Sequence, residues 1–179
     1  MTAGSGHARI VSMFYERLFA KLQEEQVEYL VLGGVALNLH GVPRMTADVD
    51  ITISFATENT ESFLRAAAAL DLKPKAPIPA AALADRIQRQ LWRNEKNMIA
   101  FGLVNQDNPL EEVDVLLETP FSFKDAYDRR FVVHVDDLQI SVASLEDLIA
   151  SKEAAGRKQD LADIDALRAL KQVLMETDE

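Results

Sequence analysis

Asp48 and Asp50 stand two residues apart in the stretch Asp48-Val-Asp50-Ile-Thr-Ile, and residues two apart on a strand point to the same face. Their oxygens can therefore converge on one point in space. Carboxylates that close repel one another, more strongly away from water, unless protons or a cation compensate. Magnesium suits the pair, because it is a hard cation held by one or two carboxylates together with substrate phosphates. The competing reading is a polar strand edge lying in water. Upstream, Tyr29-Leu-Val-Leu-Gly33-Gly34 has the pattern of a buried strand that breaks at two glycines before a helix over Val35 to His40. Glycine lets the backbone turn sharply and lets a ligand approach, and the first amides of a helix lack partners and favour phosphate. A phosphate cradle beside a metal pair describes a nucleoside triphosphate site. An ordinary tight turn is the alternative.

The combination of Gly33-Gly34, a gap, and Arg44-x-Thr46-x-Asp48-x-Asp50 resembles the first motif of the polymerase-beta-type nucleotidyltransferase superfamily, above all its small bacterial members related to abortive-infection toxins. The resemblance covers most of the chain. It implies an α/β (α+β) nucleotidyltransferase fold, with a mixed β-sheet flanked by helices and a C-terminal helical pair. It also implies a third carboxylate on a neighbouring strand, which Glu111-Glu-Val-Asp114-Val-Leu-Leu-Glu118 can supply. There Val113, Val115 and Leu117 share one face, leaving Asp114 on the other with Glu112 and Leu116. The family motif favours Asp114, and Glu112 competes for the role.

Carried onto this chain, the resemblance makes Asp48, Asp50 and Asp114 both the catalytic carboxylates and the ligands of Mg2+ or Mn2+, with a nucleoside triphosphate as substrate. Asp114, nearer the acceptor, is the candidate general base. Gly33, Gly34, Arg44 and Thr46 fall on the nucleotide-binding part of the motif. Gly34 is a departure, since many relatives carry serine there.

The C-terminal part opens with Ser144-Leu-Glu-Asp147, an N-cap signature. On the helix that follows, Leu145, Leu148 and Ile149 define an inward stripe, and Lys152 falls in its middle. An inward lysine must snorkel out or find an anion. The resemblance implies that Lys152 reaches the nucleotide phosphates, and that Arg157 and Asp160 belong to the same nucleotide site. Asp160 and Asp163 can equally cap the last helix and favour its dipole. Gln159 stands where the family pattern leads one to expect lysine.

Other segments supply the frame. Ile10, Phe14, Leu18 and Leu22 recur every four residues, predicting an amphipathic helix over Ile10 to Gln26. Thr57 to Leu70 is an alanine-rich helix with Thr57 or Asn59 as its cap, and the prolines of Lys73 to Pro79 make a loop. Across Ala80 to Lys96, a single helix would carry Leu83, Ile87 and Leu91 on one stripe. Arg86, Arg89, Arg93 and Lys96 would lie opposite, with Trp92 at the margin. That basic face could hold a triphosphate, stack a base on Trp92 or meet an acidic acceptor, or simply be solvated. Asn97 to Asn105 with Glu111 to Glu118, and Phe131 to Val135 with Leu138 to Val142, predict two hairpins. The division expected is a core over residues 1–143 and a helical extension over 144–179.

Composition narrows the class. A chain of 179 residues should bury roughly 70% of its unfolded surface, enough for a real core. It contains no cysteine, which excludes disulfides and thiolate metal sites. His7, His40 and His134 lack metal-ligand spacing, so zinc is not expected. The start Met-Thr-Ala-Gly-Ser-Gly-His lacks the apolar core of a signal peptide, and no apolar run approaches the ~20 residues of a membrane span. A cytoplasmic protein without membrane partners is expected. The formal net charge of −10 argues against a broad nucleic-acid-binding surface.

The expected activity is transfer of a nucleoside monophosphate from the triphosphate to an acceptor hydroxyl of RNA, protein or a small molecule. The toxin-related members imply a toxin-antitoxin or phage-defence role with a cognate antitoxin. The alternative is a non-catalytic descendant of the fold that binds a nucleotide or a protein partner.

Overall fold

Tyr29, Leu30 and Val31 are all buried, so their strand must be covered on both faces and lie inside a sheet. In the computed structural model, which describes residues 4–177 and side chains from Met13 onward, it does. The elements in chain order are α1 (Gly4–Glu24), β1 (Tyr29–Val31), α2 (Gly33–Leu39), β2 (Val49–Ile53), α3 (Thr57–Ala69) and β3 (Leu72–Pro74). There follow α4 (Arg86–Lys96), β4 (Ala100–Asn105), β5 (Glu112–Leu116), α5 (Phe123–Asp128), β6 (Phe131–Val135), β7 (Leu138–Val142), α6 (Leu145–Ala155) and α7 (Lys158–Thr177). The strands make one seven-stranded mixed sheet in the order β3-β4-β5-β2-β1-β7-β6. This is the α/β architecture expected, with parallel pairs β2–β5 and β1–β7 and antiparallel neighbours elsewhere.

The alternation of side chains sorts the central strands into two faces. Val49 and Ile51, Val113 and Val115, and Phe101 and Leu103 are buried, while Asp50, Asp114 and Gly102 between them are only partly covered. The buried set joins Phe14, Leu18, Phe19 and Leu22 of α1 and Phe63, Ala66 and Ala67 of α3 in one core. The α1 stripe is therefore the buried one from Phe14 on; the Ile10 and His7 side chains lie outside the described residues. Both hairpins form in the expected pairing. Gly102 faces Asp114 in the first, and Asp136 at φ 51° makes the tight turn of the second. The α6 helix starts at Ser144, whose hydroxyl accepts from the Asp147 amide at 3.2 Å. Among the described residues no helix is long and apolar enough to cross a membrane.

Three local expectations are corrected. Lys73-Pro74 belongs to a strand and not to a loop, because β3 is at the sheet edge, where a proline need not donate to a ladder. Neither Thr57 nor Asn59 caps α3. Ala56 is at the cap position, and the Asn59 amide donates instead to the Ser54 carbonyl at 2.8 Å and the Glu28 carbonyl at 3.1 Å.

The third concerns Ala80 to Lys96, which is not one helix. A 3-10 turn ends at Ala84, and Asp85 caps a new helix by accepting from the amides of Ile87 at 2.7 Å and Gln88 at 3.3 Å. The restart rotates the faces. Ile87 is 65% and Leu91 39% exposed, whereas Trp92 is 2% exposed and stacks on Phe101 at 5.4 Å. The basic face is also partly consumed: Arg89 lies 4.5 Å over the Phe55 ring and donates to the Leu83 carbonyl, and Arg93 pairs with Glu118. Trp92 is thus a core residue with no face left for a base. Replacing Trp92 by Ala should cost about 3–5 kcal/mol in urea denaturation. Ile87→Ser and Leu91→Ser should stay within about 0.5 kcal/mol.

Candidate active site

Parallel pairing of β2 with β5 sets Asp50 beside Asp114, and Gly102 of β4 continues the same row. Asp48 is in the turn immediately before β2, and Glu112 begins β5. Asp48, Glu112 and Asp114 each bring a carboxylate oxygen within 4.8 Å of the others. Glu112, the competitor of Asp114 in the sequence, thus stands in the cluster with it. Asp50 lies beside that set and against Gly33: its Oδ2 lies 1.9 Å from where a Cβ on Gly33 would be. With Gly33 at φ +61°, no other residue fits this crossing of backbone and carboxylate.

The motif loop is held from several sides. Gly34 leaves room for Thr46, whose Cβ lies 2.7 Å from the position of an added Cβ. The Thr46 hydroxyl donates to Asp48 Oδ1 at 3.0 Å. Asn38 of α2, unmarked in the sequence, grips the Arg44 main chain twice, donating to its carbonyl at 2.8 Å and accepting from its amide at 2.7 Å. From α1, Tyr15 reaches the same neighbourhood; burial, with the Asp48 charge as a second cause, pushes its phenol up to about 12.

Lys152 is buried in the α6 stripe, and its ammonium donates to Asp163 Oδ2 at 2.7 Å and Asp160 Oδ1 at 3.2 Å. Each carboxylate holds a second cation. Arg44 Nε is 3.2 Å from Asp163 Oδ1, and Arg157 contacts Asp160 Oδ2 with its amide at 3.0 Å and its Nε at 3.1 Å. Arg44, Asp163, Lys152, Asp160 and Arg157 therefore form one chain of charges that joins the motif loop to α6 and α7. Asp160 is also the returning half of a capping box on the Arg157 amide. Burial alone would raise its carboxyl, but Lys152 and the Arg157 donors outweigh it and hold it below the usual range.

Asp50 feels the charge of both groups. Its carboxyl is pushed up to about 6, first by burial and then by the charges of Asp48 and Asp114, against a lowering by Lys152 and Arg157. Oxygen donors alone make up the cluster, the set a hard divalent cation takes, and the Asp48 and Asp114 charges that add to burial in raising Asp50 are ones such a cation would offset. The residues fit a hard divalent ion.

The chain and its fold have counterparts. The family model for a nucleotidyltransferase of unknown function (DUF6036) matches residues 11–177. The solution structure of the antibiotic-resistance factor ANT(2'')-Ia is similar at a TM-score of 0.57 and 14% identity, over 93% of this chain and 85% of that one. Its crystal structure with adenylyl-2''-tobramycin gives a TM-score of 0.53 at 14% identity, over 93% and 90%. An antigenic nucleotidyltransferase-like protein from Paracoccidioides brasiliensis gives 0.50 at 19% identity, over 93% and 77%. No curated protein matches the sequence.

The raised Asp50 has a thermodynamic consequence. Its folded value of about 6 exceeds the ordinary 3.8, so between these values the folded chain binds more protons than the unfolded one, and stability falls as pH rises through that window. Asp50→Asn should therefore stabilise the metal-free protein by roughly 2 kcal/mol at pH 8, and the gain should vanish below about pH 4. Thermal melts in a chelating buffer across that range measure it. Gly33→Ala should destabilise at every pH.

Proposed function

Because the chain belongs to the nucleotidyltransferase family DUF6036, we propose that it is a divalent-metal-dependent enzyme moving a nucleoside monophosphate from a nucleoside triphosphate to an acceptor hydroxyl. The observation that carries this reading is the convergence of Asp48, Glu112 and Asp114, with Asp50 beside Asp114 in register. Asp48, Asp50 and Asp114 would hold Mg2+ or Mn2+. When bound, such ions offset triphosphate charge and polarise the phosphoryl group.

The protein's own groups divide the remaining work. Gly33 and Gly34 admit the Asp50 and Thr46 side chains beside the main chain, so that phosphate would meet their backbone amides, and Thr46 fixes the Asp48 carboxylate. Lys152 and Arg157 bring positive charge to bear on Asp50, with Asp160 orienting both and Arg44 joined to them through Asp163; these three cations would meet the phosphates. Asp114 takes the proton from the acceptor hydroxyl. That oxygen bonds to the α-phosphorus as the bond to the bridging oxygen breaks, and the electron pair leaves with pyrophosphate.

The acceptor proposed is a hydroxyl of RNA, protein or a small molecule, in a toxin-antitoxin or phage-defence setting with a cognate antitoxin. In ANT(2'')-Ia the adenylylated molecule is tobramycin. A rival, a binding descendant without transfer, is favoured by one observation: the Lys152 ammonium is already committed to Asp160 and Asp163.

Incubation with each α-labelled nucleoside triphosphate, Mg2+ and candidate acceptors, with pyrophosphate release measured in parallel, separates the two. Labelled product with the wild type, reduced at least ~10³-fold by Asp48→Ala or Asp114→Ala, is expected on the scale of lost electrostatic and base catalysis. Nucleotide binding by titration calorimetry with no pyrophosphate from any acceptor would favour the binding descendant.

A further inference from the structure

Lys75 carries a feature that neither the family match nor the motif reading assigns. It follows Pro74 at the end of the edge strand β3, and its amide donates to the Gly102 carbonyl at 3.0 Å, continuing the β3–β4 pairing by one residue. Its side chain crosses the open face of Gly102, where an added Cβ would lie 2.8 Å from Lys75 Cδ and 2.9 Å from Asp114 Oδ1. The ammonium ends between two members of the carboxylate cluster, bonded to Glu112 and 3.2 Å from Asp114 Oδ1. Main chain, stem and head group are thus each held, and Gly102 is the gap that admits the stem.

Three carboxylates within 4.8 Å of one another repel unless a cation stands among them, and Lys75 is the cation that contacts two of them. Its side chain is 38% exposed, on a flexible stem with room to swing outward. Arg44, Lys152 and Arg157 are differently placed, engaged with Asp160 and Asp163. An ammonium on Asp114 and a divalent ion on Asp114 cannot both have full use of that carboxylate, since like charges this close oppose each other.

Resting on the assignment of Asp48, Asp50 and Asp114 as the metal centre, we infer that Lys75 is a built-in counter-cation of this centre, which a divalent ion must displace from Asp114 and Glu112 in order to bind. Lys75 stabilises the metal-free protein and sets the ion concentration at which the centre loads. It is a positioning residue, acting on the carboxylates and not on the reacting atoms.

Titration calorimetry with Mn2+ alone, on the full chain freed of metal, tests it. Lys75→Met keeps an unbranched stem on Gly102 and removes the charge; it should bind Mn2+ about tenfold more tightly than the wild type, the order expected for removing one nearby like charge. Lys75→Arg should stay within about twofold of the wild type, since its charge is retained. In thermal melts Lys75→Met should be less stable than the wild type without metal and equal to it with saturating Mn2+. Lys75→Gln serves the same comparison if the Met variant does not fold, judged by the fluorescence of Trp92, the single tryptophan. Equal or weaker Mn2+ binding by the charge-removed variant would overturn the role of Lys75 and leave the metal centre standing. Absence of Mn2+ binding by both proteins would overturn the metal centre and this inference with it.

Discussion

Mutual repulsion among carboxylates gathered on the central strands β2 and β5 and the turn before β2 is the constraint around which the rest of the molecule is arranged. Asp48, Glu112 and Asp114 converge, and Asp50 adds a fourth charge from the adjoining strand. A fold tolerates such a cluster only by supplying positive charge or protons. Here both occur: Lys75 bridges Glu112 and Asp114 from the edge strand, Lys152 and Arg157 favour the Asp50 charge, and burial with the neighbouring carboxylates still pushes the Asp50 carboxyl up to about 6. Glycine appears wherever this crowding needs space, at Gly33 for Asp50, at Gly34 for Thr46 and at Gly102 for the Lys75 stem.

The second organising element is the ion chain from Arg44 to Arg157, buried at Lys152, Asp160 and Asp163. A buried lysine is costly unless its charge is fully partnered, and Lys152 meets that demand with two aspartates, each shared with an arginine. The stabilisation of such networks is modest, because desolvation offsets attraction. Their geometric effect is larger. The motif loop, α6 and α7 cannot move independently without uncovering a charge, so the helices that close the chain are tied to the residues that open the site. On the far side, Arg129 and Asp147 make a similar join between α5 and α6, at 3.0 and 2.5 Å.

Amphipathic arithmetic was least informative where a capping residue interrupted the helix. For α6 it placed Leu145, Leu148 and Lys152 inward, and they are buried, because that helix runs unbroken from its serine cap. Applied to Ala80 through Lys96, the same arithmetic assumed one continuous rotation. Asp85 offered its carboxylate to two amides and restarted the helix, so that Trp92 turned inward and Ile87 outward. One capping carboxylate, with its two hydrogen bonds, outweighed the periodicity of the whole segment.

What the chain determined by itself was local: alternation that put Asp114 and Glu112 on the face opposite Val113 and Val115, glycines that end β1, turn residues that close both hairpins, and a motif specific enough to suggest the nucleotidyltransferase fold. These follow from neighbours a few residues apart, whose geometry is set by backbone periodicity. Only the tertiary structure decided which charges meet. That Lys75, in a proline-bearing stretch, lies on Asp114 depends on the antiparallel pairing of an edge strand. That Asp163 joins Lys152 to Arg44 depends on how two helices pack against a loop more than a hundred residues upstream. Pairings of that range are chosen by the sum of core packing and charge compensation over the whole fold, and no window of sequence contains both partners.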